Sequence, residues 1–273
     1  MIDFFKKKSK DAVLIIIGFF TRIKSNKATV LMYHSVADNP AFFNVRPKDF
    51  SRHLNFLKNN KYEIIKLSQL IQDLKDKKPV SKKASLTFDD GYLDNYHYVF
   101  PLLKKYNFPA SVFISTGFIG GKMTTSDGVS IDMMNEGQIK EMEASGLVEF
   151  LPHGVSHKNL DTLSFDDFKK EIAESFGQLS KIVNNSWKIF AYPRGRFSNS
   201  IVEYLKMDKW LGAVTVNVGL VSDEDDLFTL NRNSIDSSTS MIQFKSKVSG
   251  LIGKYERFKS AAKNFLLWKK TKK

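Results

Sequence analysis

From Ala28 onward, short apolar runs alternate with amphipathic stretches, and this rhythm constrains the fold more than any other feature of the chain. Parallel strands joined by crossover helices produce such a pattern, because each strand is buried on both faces while each helix buries only one. Strands are expected over residues 28–33, 84–88, 110–115, 147–151, 188–192 and 212–216. Helices are expected between them, over residues 48–59, 67–75, 96–106, 136–144, 164–183 and 198–207. Ser164 is placed to cap the fifth helix, with Asp166 and Asp167 in its first turn. A chain of 273 residues fits one α/β barrel domain with extensions. Residues 117–132, rich in Gly, Ser and Thr, read as a long loop beyond a strand end, where barrels place substrate contacts.

The residues that carry chemistry stand at the ends of the expected strands. In Leu86-Thr87-Phe88-Asp89-Asp90-Gly91 a strand runs into two acids and a glycine that lets the chain turn sharply. Such a turn can bring both carboxylates into one pocket, one for a metal and one for activating water, although Asp-Asp-Gly alone is also an ordinary polar turn. His153 and His157 follow the apolar run of residues 148–151 and Pro152. Their spacing of four brings two imidazoles together on a helical turn, an arrangement that metal sites use. With no cysteine in the chain, a transition metal must be held by His and carboxylate.

These motifs resemble the polysaccharide deacetylases, also called the chitooligosaccharide deacetylase-like domain or carbohydrate esterase family 4. Thr87-Phe88-Asp89-Asp90-Gly91 matches the first family motif, and His153-x-x-Ser156-His157 with Asn159-Leu160 matches the second. The match covers roughly residues 29–235. The resemblance implies a distorted (β/α) barrel in which Asp90, His153 and His157 hold a divalent metal, usually zinc, and Asp89 is the general base. An amide also needs a general acid for its leaving amine, and the family draws one from a Leu-x-His motif near its C-terminal end. No His follows His157 here. Leu31-Met32-Tyr33-His34-Ser35-Val36, at the end of the first strand, is instead similar to the biofilm poly-N-acetylglucosamine deacetylases, in which that motif sits near the N-terminus as in a circular permutation. The acid role passes to His34 on that resemblance.

The third motif departs from the family. Where members have Arg-x-Pro-Tyr, Phe190-Ala191-Tyr192-Pro193-Arg194-Gly195 places Ala191 at the Arg position and Arg194 at the Tyr position. The missing Arg orients the base, so Arg194, Arg196 and Arg232 become candidates to replace it. Tyr192, Pro193, Arg194 and Arg232 are the expected substrate or oxyanion contacts, the backbone N–H of Arg194 among them, and Tyr92 and Tyr192 are candidates for stacking on sugar rings.

The net charge of +13 is confined to the ends. Residues 1–27 carry seven Lys/Arg against two Asp, and residues 245–273 carry ten against one Glu, which leaves residues 28–244 with 25 basic and 26 acidic side chains. A nearly neutral catalytic body suits an uncharged glycan and argues against nucleic acid as a partner. The apolar run of residues 12–20 would be only about 14 Å long as a helix, too short to span a bilayer, and Thr21-Arg22-Ile23-Lys24 stands where a signal cleavage site would be. Leu251, Tyr255, Phe258, Ala262 and Phe265 form an apolar stripe beside many lysines, followed by Trp268. Residues 1–27 and 245–273 therefore read as segments that hold the 28–244 catalytic domain on an anionic membrane surface, the alternative being helices packed on the body. The expected function is metal-dependent N-deacetylation of amino sugars in a polysaccharide or lipid-linked glycan. An O-acetyl esterase or other linear amidase with the same site, and a non-catalytic glycan- or membrane-binding protein, are the competing readings. Oligomeric state has no signature in the sequence.

Overall fold

The computed structural model describes residues 11, 13–14, 26–184, 187–253 and 255. Along the chain run β1 (Thr29–Tyr33), α1 (Pro47–Asn59), β2 (Glu63–Ile64), α2 (Leu67–Lys75), β3 (Lys83–Phe88), α3 (Phe100–Tyr106), β4 (Ala110–Ile114), β5 (Lys122–Thr124), β6 (Ser130–Asp132), α4 (Glu136–Ala144), β7 (Val148–Pro152), α5 (Phe165–Leu179), β8 (Ile189–Ala191), α6 (Asn199–Met207), β9 (Gly212–Val214), β10 (Asn233–Ser234) and α7 (Met241–Ser249). The strands β10, β1, β3, β4 and β7 pair in that order, all parallel, with β2 added to β3. A second parallel pair, β8 and β9, lies beside β7, and a bridge from Val214 to Leu230 carries β9 toward β10. The ring is thus uneven, with β7 and β8 adjacent but unpaired, which is the distorted (β/α) barrel expected from the sequence.

Period-two alternation decides which residues reach the interior. Leu31, Tyr33, Leu86, Phe88, Val112, Ile114 and Phe150 face out and pack under the surrounding helices. Val30, Phe113, Leu151, Ile189, Ala191 and Val214 face in, where they meet Leu67, Leu70, Ile71 and Leu74 of α2. Helix α2 therefore plugs the end of the barrel where the strands begin. Its N-terminus lies on the buried carboxylate of Glu149, which accepts from the Ser68 N–H at 3.0 Å and the Ser111 hydroxyl at 2.6 Å. A negative charge at a helix N-terminus is stabilising, and here it fixes the plug. The opposite end, where the strands finish, is left for the site.

All six expected strands and six expected helices are present, the helices over 67–75 and 136–144 with the expected bounds and the others with shifted ends. Ser164 caps α5 through the Asp167 N–H, as its position predicted, and α5 stops at Leu179 rather than residue 183. Asn95–Val99 forms a π turn before α3. Residues 117–132, expected to be an open loop, contain a short helical turn and the antiparallel β5–β6 hairpin. Strands β2 and β10 and helix α7 were not anticipated, the two strands having only two residues each.

Buried His53 on α1 lies between the Tyr33 hydroxyl, 3.3 Å from its Nδ1, and the ring of Phe244 on α7, stacked at 4.0 Å. Burial lowers its pKa to about 4 from 6.5, partly opposed by Asp49. The folded state thus binds fewer protons than the unfolded chain, so the stability due to neutral His53 is complete above pH 6.5 and is lost as pH falls toward 4. The difference is worth about 3 kcal/mol at 1.36 kcal/mol per pKa unit. In His53→Leu, thermal unfolding should depend less steeply on pH across that window than in the parent, and an unchanged slope would reject the assignment.

At the termini, buried Leu14 packs with Leu251 and Ile252, and Asp11 accepts from Ser240 and Gln243 at 2.9 Å each. No helix among the described residues is long and apolar enough to cross a membrane. Most of the basic and apolar residues assigned to membrane attachment, including Phe258, Ala262, Phe265 and Trp268, lie outside the described residues.

Candidate active site

Asp89 and Asp90 leave the end of β3 in different directions. Asp89 continues the inward alternation of Ser85 and Thr87, and its N–H still pairs with Tyr33 O at 2.9 Å. Asp90 has φ 74° and Gly91 φ 88°, so the backbone reverses at once. That positive φ favours glycine at position 91, where a Cβ would also press on the terminal methyl of Ile114. The turn gives the two carboxylates different neighbours, and of the two only Asp90 is among the residues that line the cleft over the site.

Asp90 meets the two histidines. Its Oδ1 lies 3.5 Å from His153 Nε2 and 3.3 Å from His157 Nε2. The pair is not on a helical turn, contrary to the sequence reading. His153 ends the inward alternation of Glu149 and Leu151 in β7, and the chain beyond it is irregular, returning His157 to the first ring through a left-handed φ of 53°. The ring centroids stand 5.0 Å apart. His153 Nδ1 lies 2.8 Å from Ala191 O and donates to it, which orients the ring with Nε2 toward Asp90. Burial lowers the His157 pKa to about 4, partly opposed by Asp90, and keeps that imidazole neutral at ordinary pH. Asp90 Oδ1 is buried with no hydrogen-bond partner. Two imidazole nitrogens and a carboxylate oxygen with no hydrogen-bond partner converge within 4.8 Å of one another, an arrangement that a cation held among them would satisfy. The three residues fit a divalent metal, and their all-N/O donor set suits zinc among others.

Arg232, completely buried, supplies the contact that the altered third motif lacks. Its Nη1 and Nη2 donate to Asp89 Oδ1 and Oδ2 at 2.6 and 2.7 Å, and its Nε donates to Thr215 O at 2.8 Å. Thr87 Oγ1, 3.3 Å away, and the Phe113 ring complete its surroundings. Burial alone would raise the Asp89 pKa, but the Arg232 charge, helped by His153 and His34, outweighs it and holds the carboxyl well below its ordinary value. Asp89 is therefore an ionised carboxylate locked by a two-pronged pair. Of the three arginines considered as stand-ins, Arg196 instead pairs with Asp161 at the surface, and Arg194 lines the cleft.

His34 faces Asp89 from the end of β1, with Nε2 4.0 Å from Oδ2. The π turn holds it there. Asn95 Nδ2 donates to His34 O at 2.9 Å, and Asp94 accepts from the Val36 N–H at 3.0 Å and the Ser35 hydroxyl at 2.6 Å. Single π turns recur beside functional sites, and this one ties the His34 loop to the segment that follows Asp89 and Asp90.

A cleft of ≈ 410 Å³ opens over these groups, lined by His34, Asp90, Tyr92, His157 and Arg194 together with Phe42, Phe43 and residues 123–126. The β5–β6 hairpin thus reaches the cleft, as the reading of residues 117–132 anticipated. Tyr92 forms part of the wall, its ring stacked on Phe43 and its hydroxyl near Asp90. Tyr192 cannot touch a substrate. It points outward beside Phe190, is fully buried against Phe197, and donates its hydroxyl to Phe228 O at 2.9 Å. Pro193 is buried as well, and Arg232 reaches Asp89 rather than the cleft. Sequence reading missed Phe42, Phe43 and Asp94, which have no motif to mark them.

The family model for polysaccharide deacetylases matches residues 76–209. YxkH of Bacillus subtilis (strain 168), which bears the same family name, is 28% identical over 84% of this chain and 78% of its own. A poly-beta-1,6-N-acetyl-D-glucosamine N-deacetylase of Staphylococcus aureus (strain N315) is 27% identical over 68% of this chain and 70% of its own. Among solved structures, the Streptococcus pyogenes deacetylase PplD in complex with acetate superposes with a TM-score of 0.70 at 28% identity, covering 81% of this chain and 98% of that one. With both acids, both histidines and the barrel in place, the chain contains a polysaccharide deacetylase domain.

Proposed function

We propose that this protein is a zinc-dependent N-deacetylase that removes acetyl groups from N-acetylated amino sugars in a cell-envelope glycan, held at an anionic membrane surface by its two ends. The convergence of Asp90, His153 and His157 beside an Arg-locked Asp89 carries this reading. The staphylococcal relative supports the choice of an amide and of an amino-sugar polymer.

Asp90, His153 and His157 would hold the metal, which supplies Lewis acidity toward the acetamido carbonyl and an attacking water. Asp89 accepts the water's proton, its orientation fixed by Arg232. His34, across from Asp89, gives a proton to the departing nitrogen as the C–N bond breaks, so that acetate and a free amine leave. His34→Ala should therefore slow amide cleavage by about 10²-fold or more, yet scarcely affect an activated aryl acetate, whose leaving group needs no acid. Equal losses on both substrates would give His34 a structural role instead.

Attachment to the membrane is supported by the charge distribution. The contacts of Asp11 with Ser240 and Gln243, and of Leu14 with Leu251 and Ile252, place residues 11 and 14 beside the beginning of the C-terminal basic stretch. Deleting residues 1–24 and everything after Gly250 should leave a soluble domain that is active on small oligosaccharides but poorly retained by anionic vesicles. Each basic residue near such a surface contributes about 1 kcal/mol, so binding by the full chain should weaken as salt rises. Vesicle binding unchanged by the deletion would refute terminal attachment.

A further inference from the structure

His153 and His157 are separated by a segment with no regular structure of its own, yet their ring nitrogens must be placed to within a fraction of an ångström to share a metal. Three donors of that segment converge on one side chain. Glu171 Oε2 accepts from the Val155 N–H at 2.9 Å and the Ser156 N–H at 3.0 Å, while Oε1 accepts from the Ser156 hydroxyl at 2.5 Å. Glu171 stands on α5 between buried Phe168 and Ser175 and beside Ile172, so the helix that carries it is anchored in the core.

The other side of the segment is pinned by backbone beyond β4: Thr116 N–H donates to Gly154 O at 3.0 Å, and Gly117 N–H to Val155 O at 2.9 Å. The segment is clamped between these two sets of bonds. At Gly154 φ is 82°, a left-handed turn that glycine takes without strain, and the Glu171 carboxylate lies against it. His157 itself has the left-handed φ of 53°, which a non-glycine residue keeps only when its surroundings impose it.

We propose that Glu171 is a positioning residue that sets the metal affinity of the site by holding residues 154–156 in the conformation that returns His157 to Asp90. The inference rests on reading Asp90, His153 and His157 as the ligands. Loss of an outer contact that orients a ligand typically lowers metal affinity 10- to 100-fold. The expected order of effects follows from the bonds. Glu171→Ala removes all three acceptors and should weaken binding across that range. Glu171→Gln keeps one oxygen for the two N–H groups and should lose several-fold at most, whereas Glu171→Asp is one methylene too short and should resemble Ala. Ser156→Ala, added to Glu171→Ala, should cost nothing further, because its hydroxyl has already lost its acceptor.

The test is titration of the metal-free full chain with Co²⁺, followed by its visible absorption, alongside the thermal midpoint of each metal-free variant. The proposal predicts weakened Co²⁺ binding in Glu171→Ala and Glu171→Asp, substantial rescue in Glu171→Gln, and metal-free midpoints close to that of the parent. Parental affinity in the Ala and Asp variants would overturn it. So would a loss of affinity that merely follows a loss of metal-free stability, with no rescue by Gln. If Ala does not fold, the Asp and Gln pair decides. Failure of the parent chain to bind Co²⁺ would overturn the ligand assignment itself, a distinct outcome.

Discussion

Asp89→Asn is expected to lower deacetylation by about 10³-fold while leaving metal binding at Asp90, His153 and His157 nearly intact. The amide cannot accept the water's proton, and general-base contributions of 10²–10⁴ set the scale. The same change faces Arg232 with a group that offers one acceptor and one NH₂ where the carboxylate offered two acceptors at 2.6 and 2.7 Å. The guanidinium, fully buried, is left uncompensated, so the variant should also be less stable by about 3–5 kcal/mol. Metal titration and thermal unfolding of the same sample separate the two effects. Asp90→Asn and His153→Ala should do the reverse and weaken metal binding first. An Asp89→Asn protein with near-parental turnover would remove Asp89 from the role of base.

Arg232→Lys should be the most informative change away from the reacting atoms. Lysine keeps the charge but not the planar fork, and it cannot at once hold both Asp89 oxygens and Thr215 O. Turnover should fall by about 10²-fold with KM and metal affinity little changed, since the part lost is the orientation of the base. Arg232→Ala should instead destabilise the fold by about 3–5 kcal/mol, because it strands a buried carboxylate. Combined with Asp89→Asn, the loss of stability should be less than the sum of the single losses, since both changes break one pair. Additive losses would show that the pair is not the unit inferred from the structure.

The legible parts of the chain are those in which a local pattern fixes the outcome. Strand and helix order followed from hydrophobic rhythm, and the acids and histidines could be placed because they stand just beyond strand ends. The same alternation governs the residues just past the strand ends. Tyr192 lies one residue beyond inward-facing Ala191 and therefore points out, so its place beside a motif was misleading. A spacing of four suits a helical turn, but Gly154 is the sign of a loop, and a left-handed His157 cannot be read from spacing. Arg232 was one candidate among three. Its role depends on a contact 143 positions away in the chain, made next to a strand of only two residues. Its local signal was an Arg between Leu230 and Ile235, two residues that proved fully buried. Glu171 had no signal, since an exposed-looking acid on an amphipathic helix is ordinary.

The locked Asp89 also shapes the central test. A carboxylate held so far below its ordinary pKa accepts a proton readily only from water that has already been made acidic, so turnover should depend strictly on the metal. The decisive measurement is mass spectrometry of N-acetylglucosamine oligomers incubated with the zinc-loaded chain, with the chelated chain and with Asp89→Asn. Free amines and matching acetate in the first sample alone are the predicted result. Acetate release that survives chelation, or a loaded chain that cleaves acetylated xylan but leaves every N-acetyl group in place, would contradict it.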